Sequence, residues 1–303
     1  MKYIVTGGAG FIGSHITDKL VERGDEVHVV DNFLTGKREN VNPKATLHEI
    51  DIRDFEKLPD IFRGAAGIFH VAAQPRMQYS IKEPRLTNDI NITGTLNVLL
   101  AARDAGVRRV VYSASSSAYG RANPVPFTED MPADPIIPYA IQKRVGEQYC
   151  IMASRFYGLE TVSLRYFNVY GPRQTTDTDG PYATVIGIFL GQRSKNQPMT
   201  IVPDGRQRRD FTHVSDIAMA NLQAMQSPNV GAGEIINIGT GKNYSVLEVA
   251  QMIGGPTVLA EPRQGEAAAT LADNTRARTL LDWTPRITFE EGISRLKEAH
   301  GLA

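Results

Sequence analysis

Tyr139 and Lys143 stand four residues apart in a stretch that reads as a helix, from Pro138 or Tyr139 to about Tyr157, with Gly158 as its stop. At that spacing the two side chains share one helix face. A lysine ammonium beside a phenol stabilises the phenolate and lowers its pKa from about 10. The result is a general base usable near neutral pH. Ordinary surface helices carry the same pair by chance. Here an apolar run upstream, Arg109 to Ser115, reads as a strand and ends in Ser115-Ser116-Ser117. Hydroxyls therefore reach a strand end ahead of the helix.

The element that would hold a cofactor for such a base is at the start of the chain. Lys2-Tyr-Ile-Val-Thr6 is apolar and β-branched, Gly7-Gly-Ala-Gly10-Phe-Ile-Gly13 follows, and Ile12, Ile16, Leu20 and Val21 keep helical spacing. This is strand, tight turn and helix, the helix running from about Ser14 to Arg23 with Gly24 as its cap. Glycines at 7, 10 and 13 permit a tight turn, close approach to a pyrophosphate and close helix–strand packing. The helix N-terminus offers unpaired N–H groups and a positive dipole end. Glu26 to Asp31 reads as the second strand, and Asp31 falls roughly 20 residues after the glycines, where a carboxylate would accept hydrogen bonds from an adenosine ribose. An acid there favours NAD over NADP, because it repels a 2′-phosphate. The plain alternatives are a structural turn and a strand-end Asp that caps a loop.

The chain has 303 residues, enough for a large core and two domains. Its 33 basic and 33 acidic residues cancel, which argues against nucleic acid or an anionic membrane as partner. One cysteine, Cys150, excludes an internal disulfide framework, and its amphipathic surroundings suit a core or interface position. Strand pattern begins at once, and no apolar run reaches membrane-spanning length. A cytoplasmic protein without a bound metal is the expectation.

Further strands are expected at Leu47 to Ile50, Gly67 to Ala73 and Thr161 to Tyr166, with a long helix from Asn88 to Ala105 capped by Gly106. His70, alone in an apolar strand, reads as a core residue. Alternating strands and helices to residue 160 specify an α/β fold, a Rossmann-type doubly wound parallel sheet. Ligands bind such sheets at the carboxyl ends of the strands, here Thr6, Asp31, Asp51, Ala72 and Ser115. After the proline-rich loop 124–138 and the strand at 161–166, regularity weakens. Met199 to Val202 and Ile235 to Ile238 read as strands. Asp216 to Met225, Arg276 to Leu281 and Phe289 to His300 read as helices, and Ser245-Val-Leu-Glu248 opens another with a capping box. This predicts residues 1–168 as the dinucleotide-binding domain and 169–303 as a smaller mixed α/β C-terminal substrate domain, the chain crossing back at about 210–240.

With these residues in view, the chain resembles the extended short-chain dehydrogenase/reductase family, in its UDP-galactose 4-epimerase branch. The matching pieces are Thr6 to Gly13, Asp31-Asn32, Ser115 ahead of Tyr119-Gly120, Tyr139-Ala-Ile-Gln-Lys143 and Arg165-Tyr-Phe-Asn168. Tyr170-Gly-Pro-Arg173, Arg208-Arg-Asp-Phe-Thr-His213 and Trp283 complete the series, in order along nearly the whole chain. The resemblance implies that Gly7, Gly10, Phe11, Ile12 and Gly13 line the pyrophosphate of NAD. Asp31, Asn32 and Lys37 would hold the adenosine side, with Asp51 and Ile52 near the adenine and Ala72, Ala73 and Tyr166 along the cofactor. Tyr139 would be the base and Ser115 would hydrogen-bond the substrate hydroxyl. Lys143 would bind the nicotinamide ribose and tune Tyr139. Ser116 and Ser117 would face the sugar, Asn168 its phosphates, and Arg209 and Arg263 would clamp the diphosphate, where an arginine fork fits well.

Within the family, residues after the strand-end serine separate reactions. Dehydratases resemble Thr-Asp-Glu there, and decarboxylases keep a glutamate. Ser116 and Ser117 supply no acid to protonate a leaving hydroxyl, so the resemblance implies simple epimerisation at C4 of a UDP-hexose. Thr270 corresponds to the sugar-pocket gate, and its small size implies room for UDP-GlcNAc and UDP-GalNAc beside UDP-glucose and UDP-galactose. UDP-glucuronate epimerases, decarboxylases, 4-keto reductases and a non-catalytic nucleotide-binding protein are the competing readings. The resemblance also implies a homodimer through the helices around 88–105 and 139–157.

Overall fold

The computed structural model describes residues 1–176, 183–261 and 268–302. Seven parallel strands form its central sheet: β1 (Lys2–Thr6), β2 (Glu26–Asp31), β3 (Thr46–Glu49), β4 (Gly67–His70), β5 (Arg109–Ser115), β6 (Glu160–Tyr166) and a seventh, Ala232–Ile238. Their spatial order is seventh–β6–β5–β4–β1–β2–β3. β1 pairs with β2 on one side, Tyr3 against Val27, and with β4 on the other, Tyr3 against Gly67. The chain's direction of travel across the sheet reverses at β1, which opens a crevice beyond the carboxyl ends of β1 and β4.

The strands are apolar on both faces because helices cover both. Ile4, Ile68 and Val110 point to one side and pack with Val98, Leu99 and Cys150. Val5, Phe69 and Val111 point to the other and pack with Ile16, Leu20, Ala218 and Trp283. Parallel strands buried on both faces read as continuous apolar runs, which is why the strands were legible. Cys150 is buried in this core. His70 is too: Nδ1 is 2.7 Å from the Thr6 hydroxyl and Nε2 is 3.0 Å from that of Thr95. A third apolar cluster, with Tyr170, Phe189, Phe211, Val249 and Phe289, forms outside the sheet. The seventh strand comes from the C-terminal half and pairs with β6 in register Ile236 to Leu164.

Several boundaries differ from expectation. The first helix starts at Phe11, not Ser14, because extended Gly10 caps it and its carbonyl takes the Ser14 N–H at 3.1 Å. β4 stops at His70, so Ala72 and Ala73 belong to the following loop. The helix expected from Asn88 begins at Pro84, where proline suits the first turn, and passes through a π segment at Asp89–Thr93 before Gly94–Asp104. A short helix at Met77–Lys82 has too few residues to show periodicity. β5 and the helix Pro138–Tyr157 occupy the expected residues, with Gly158 left-handed at φ 67°. The capping box of Ser245 and Glu248 is formed.

A side chain at Gly13 would overlap the Gly7 carbonyl oxygen. Gly13→Ala is therefore expected to lower unfolding stability by roughly 1–3 kcal/mol. Urea unfolding measures it, and an unchanged midpoint would contradict the packing described.

Candidate active site

A cavity of 840 Å³ lies over the carboxyl ends of the strands. Every site residue expected from the sequence lines it, except Arg263, which lies outside the described residues.

The glycine turn is held tightly. Gly7 has φ 73° and donates its N–H to Val30 O at 2.8 Å. A Cβ on Gly7 would stand 2.7 Å from the Ala72 amide nitrogen. Gly10 donates to Gly7 O at 3.0 Å, and the helix N-terminus opens into the cavity through Phe11 and Ile12. Asp31 ends β2 with one oxygen accepting from the Ala9 N–H (3.0 Å) and the other from the Phe33 N–H (2.8 Å). Asp31 therefore caps the loop at the end of β2 as the plain alternative expects, and it also lines the cavity. Burial raises its pKa, partly offset by those two N–H groups. Asn32 donates to Asp51 at 2.6 Å, and Arg53 grips Asp51 at 3.0 and 2.8 Å. Burial of Asp51 opposes its charge, but Arg53 and Asn32 prevail and hold the carboxyl below its ordinary value. Ile52 packs over Gly94, and the Lys37 N–H donates to Ala9 O at 3.0 Å. A glycine cradle without room for a Cβ, a helix N-terminus above it and a carboxylate at the end of β2 together fit a dinucleotide such as NAD.

At the far end, β5 delivers Ser115, whose Oγ accepts from the Ser117 N–H (3.2 Å) and hydroxyl (2.9 Å). Tyr139 sits half-buried in the first turn of its helix, with its N–H donating to Ser80 Oγ at 3.1 Å, and lines the cavity together with Ser115. Tyr166 is fixed by Ser113 and Asn221, each at 3.0 Å.

Lys143 departs from expectation. Its Nζ donates to the Ser113 carbonyl at 2.8 Å and stands 5.0 Å over the Tyr112 ring. Burial lowers its pKa to about 8. The Tyr139 phenol is raised, not lowered: burial pushes it up, while the Ser115 hydrogen bond and the charge of Arg76 pull it down. A shared helix face brings Lys143 to the cavity, and a carbonyl of β5 accepts one of its three ammonium donors. Arg76, which lines the cavity near Tyr139, carries no motif that sequence reasoning could have found.

On the opposite wall, Asn168 donates to Asp210 O at 3.1 Å and to the Thr270 hydroxyl at 3.2 Å. Thr270 also accepts from the Asp210 N–H at 3.3 Å, so the expected gate residue is itself a strut. Arg209 lines the cavity with Nη1 donating to the Arg208 carbonyl at 2.9 Å. Asp31 and Asp51 are the only carboxylate residues lining the cavity among the described residues, and both lie at the β2–β3 end, away from Ser115.

Residues 3–239 match the NAD dependent epimerase/dehydratase family. A putative UDP-glucose 4-epimerase of Methanocaldococcus jannaschii is 42% identical over 301 residues, which cover 97% of this chain and 96% of the relative. Among solved structures, the UDP-glucose 4-epimerase of Thermotoga maritima with UDP-glucose superposes with a TM-score of 0.94 at 38% identity, covering 98% of both chains. The Thermus thermophilus UDP-glucose 4-epimerase complex with NAD gives 0.89 at 36% identity, covering 99% of this chain and 98% of its own. With its family model matched over most of the chain and relatives aligned along nearly their whole length, the chain belongs to the NAD dependent epimerase/dehydratase family.

Proposed function

We propose that this enzyme inverts C4 of a UDP-hexose, interconverting UDP-glucose and UDP-galactose through a 4-keto sugar. The observation that carries this is the composition of the wall around Tyr139 and Ser115. It offers a base and hydroxyls, and the cavity's only described carboxylates are Asp31 and Asp51 at its other end. Elimination would need a local acid to protonate the departing hydroxyl. Bound NAD supplies reversible hydride acceptance at C4.

The chain's own residues do the rest. Tyr139 takes the proton of the C4 hydroxyl and later returns one, with Ser115 sharing the hydrogen bond to that oxygen. Gly7, Gly10 and the N-terminus of the helix at Phe11 hold the cofactor pyrophosphate, and Asp31 the adenosine ribose. Lys143 holds the nicotinamide ribose. Asn168, Arg209 and Arg263 grip the UDP diphosphate, leaving the sugar to present either face to the cofactor. Firm binding of the nucleotide with weak binding of the sugar places the binding energy away from the reacting carbon. The small Thr270 leaves room for an N-acetyl group. A homodimer through the helices around 88–105 and 139–157 accords with the exposure of Ile141 and Phe156 on the second of them.

Tyr139→Phe is expected to lower kcat by about 10²–10⁴-fold while NAD remains bound after purification. Conversion of UDP-glucose to UDP-galactose, followed without net absorbance at the NADH band or CO₂ release, measures it. Near-normal turnover would remove Tyr139 as the base. Thr270→Tyr should abolish UDP-GlcNAc turnover and spare UDP-glucose, with Thr270→Val controlling for loss of the hydroxyl. A wild-type enzyme without N-acetyl activity would refute the gate.

A further inference from the structure

Arg173 stands in the left-handed region, at φ 64°, in the loop that leaves the strand Val169–Tyr170. A residue with a side chain costs stability there and persists where its surroundings hold it. What holds Arg173 is the helix Phe11–Glu22, the one whose N-terminus opens into the cavity. Arg173 Nη1 pairs with Asp18 Oδ2 at 2.7 Å, and His15, three residues earlier, donates from Nε2 to the Pro172 carbonyl at 3.0 Å. The other Asp18 oxygen accepts from Asn42 Nδ2 at 2.7 Å. Asp18 thus stands between two loops that line different parts of the cavity. The first, leading to Asn42, carries Gly36 and Lys37 next to Asp31. The second continues from Asn168 and Tyr170 and carries Gln174 and Thr175.

We propose that Asp18 and Arg173 are positioning residues for this reaction. Their ion pair, with the His15–Pro172 hydrogen bond, latches the substrate wall onto the cofactor helix and sets the affinity for the UDP-hexose. The assignment rests on reading the cavity as a site for NAD and a UDP-hexose together. Neither residue is among those lining the cavity, so each acts through the loop it holds.

The packing beyond Arg173 carries its position into the wall. Gln174 is buried, its N–H donating to Gly171 O at 3.3 Å and its Oε1 accepting from the Thr184 hydroxyl at 3.4 Å. The Thr175 carbonyl lies so close to the helix Val185–Ser194 that a Cβ on Gly187 would overlap it. Gln174 and Thr175 are therefore seated on the start of that helix, and a shift of Arg173 reaches the cavity within two residues. Exposed ion pairs contribute little by themselves. This pair is shielded in part, the Asp18 side chain being 22% exposed and that of Arg173 34%. It also acts beside a second bond from the same helix, on a residue whose backbone would otherwise relax. Lys19, the cation next to Asp18 in sequence, is engaged with Glu22 at 2.6 Å and leaves Asp18 to Arg173. Without the pair, the backbone at 173 relaxes out of the left-handed region, and Gln174 and Thr175 move with it.

The test uses the purified holoenzyme with Asp18→Ala, Arg173→Ala, both together, Arg173→Lys and Arg173→Gly. KM for UDP-glucose should rise about three- to tenfold in each single alanine variant, with kcat within about twofold of wild type and NAD retained, the pattern of lost uniform binding. Calorimetric titration with UDP-glucose, on the Tyr139→Phe background to suppress turnover, should show the same rise in dissociation constant. The double variant should match the weaker single variant within about twofold, because the two side chains act as one pair. Arg173→Lys, which keeps the charge, should recover part of the affinity. Arg173→Gly should lose as much affinity as Arg173→Ala yet melt at a higher temperature, because glycine accepts φ 64° without strain. Affinity that instead follows melting temperature across the Gly and Ala variants would overturn the proposal as a stability effect. Additive losses, or a lowered kcat with KM unmoved, would overturn the latch, and loss of bound NAD from the Arg173 variants would overturn it as damage to the cofactor helix. A wild-type protein that does not bind UDP-glucose would remove the UDP-hexose reading itself, whereas wild-type binding left unchanged by every variant would remove the latch alone.

Discussion

Glu147 and Arg165 meet inside the protein through two parallel hydrogen bonds of 2.7 and 2.9 Å. Glu147 is fully buried and Arg165 nearly so. Breaking such a pair strands a charge and costs about 3–5 kcal/mol. The pair joins the helix Pro138–Tyr157 to β6 two turns below Tyr139, and two further bonds act in the same direction. Lys143 Nζ reaches Ser113 O on β5, and the Thr161 hydroxyl on β6 reaches Cys150 O at 2.8 Å. Gly146 completes the fit, since any Cβ there would overlap the Tyr112 hydroxyl. The helix therefore cannot slide along the sheet, and the position of Tyr139 relative to the strand-end serine follows from that constraint.

A second buried carboxylate organises the opposite wall. Asp210 accepts from the Thr240 N–H (2.9 Å) and hydroxyl (2.7 Å), the Gly241 N–H (3.0 Å) and the Ala272 N–H (3.1 Å). Two separate segments converge on one side chain, and Asn168 and Thr270 are tied to the same residue's backbone. Burial raises this carboxyl, and the N–H and O–H donors around it favour its ionised form. The Tyr139 side of the cavity is thus anchored by one buried charge and the Asn168–Thr270 wall by another.

Much of this was legible because it is local. Continuous apolar strands, a glycine turn followed by helical spacing, Pro138 at a helix start and Ser245 with Glu248 each carry their own signal. The glycines, Asp31, Ser115 and Tyr139 reach one cavity because strand ends in this topology must converge. What was not legible depends on tertiary partners. The direction of the Lys143 ammonium is decided by a carbonyl of β5, not by its spacing from Tyr139. Phe11 joins the helix because Gly10 caps it. Arg76 enters the site through an unusual φ that no pattern of residue types announces.

In the proposed reaction the nucleotide is held while the C4 hydrogen leaves and returns within one protein, on opposite faces of the same carbon. Turnover of UDP-glucose carrying deuterium at C4, in the presence of excess unlabelled free NAD, measures this directly. UDP-galactose should keep its deuterium at C4 through many turnovers. Loss of the label to solvent or to the free nicotinamide pool would contradict it.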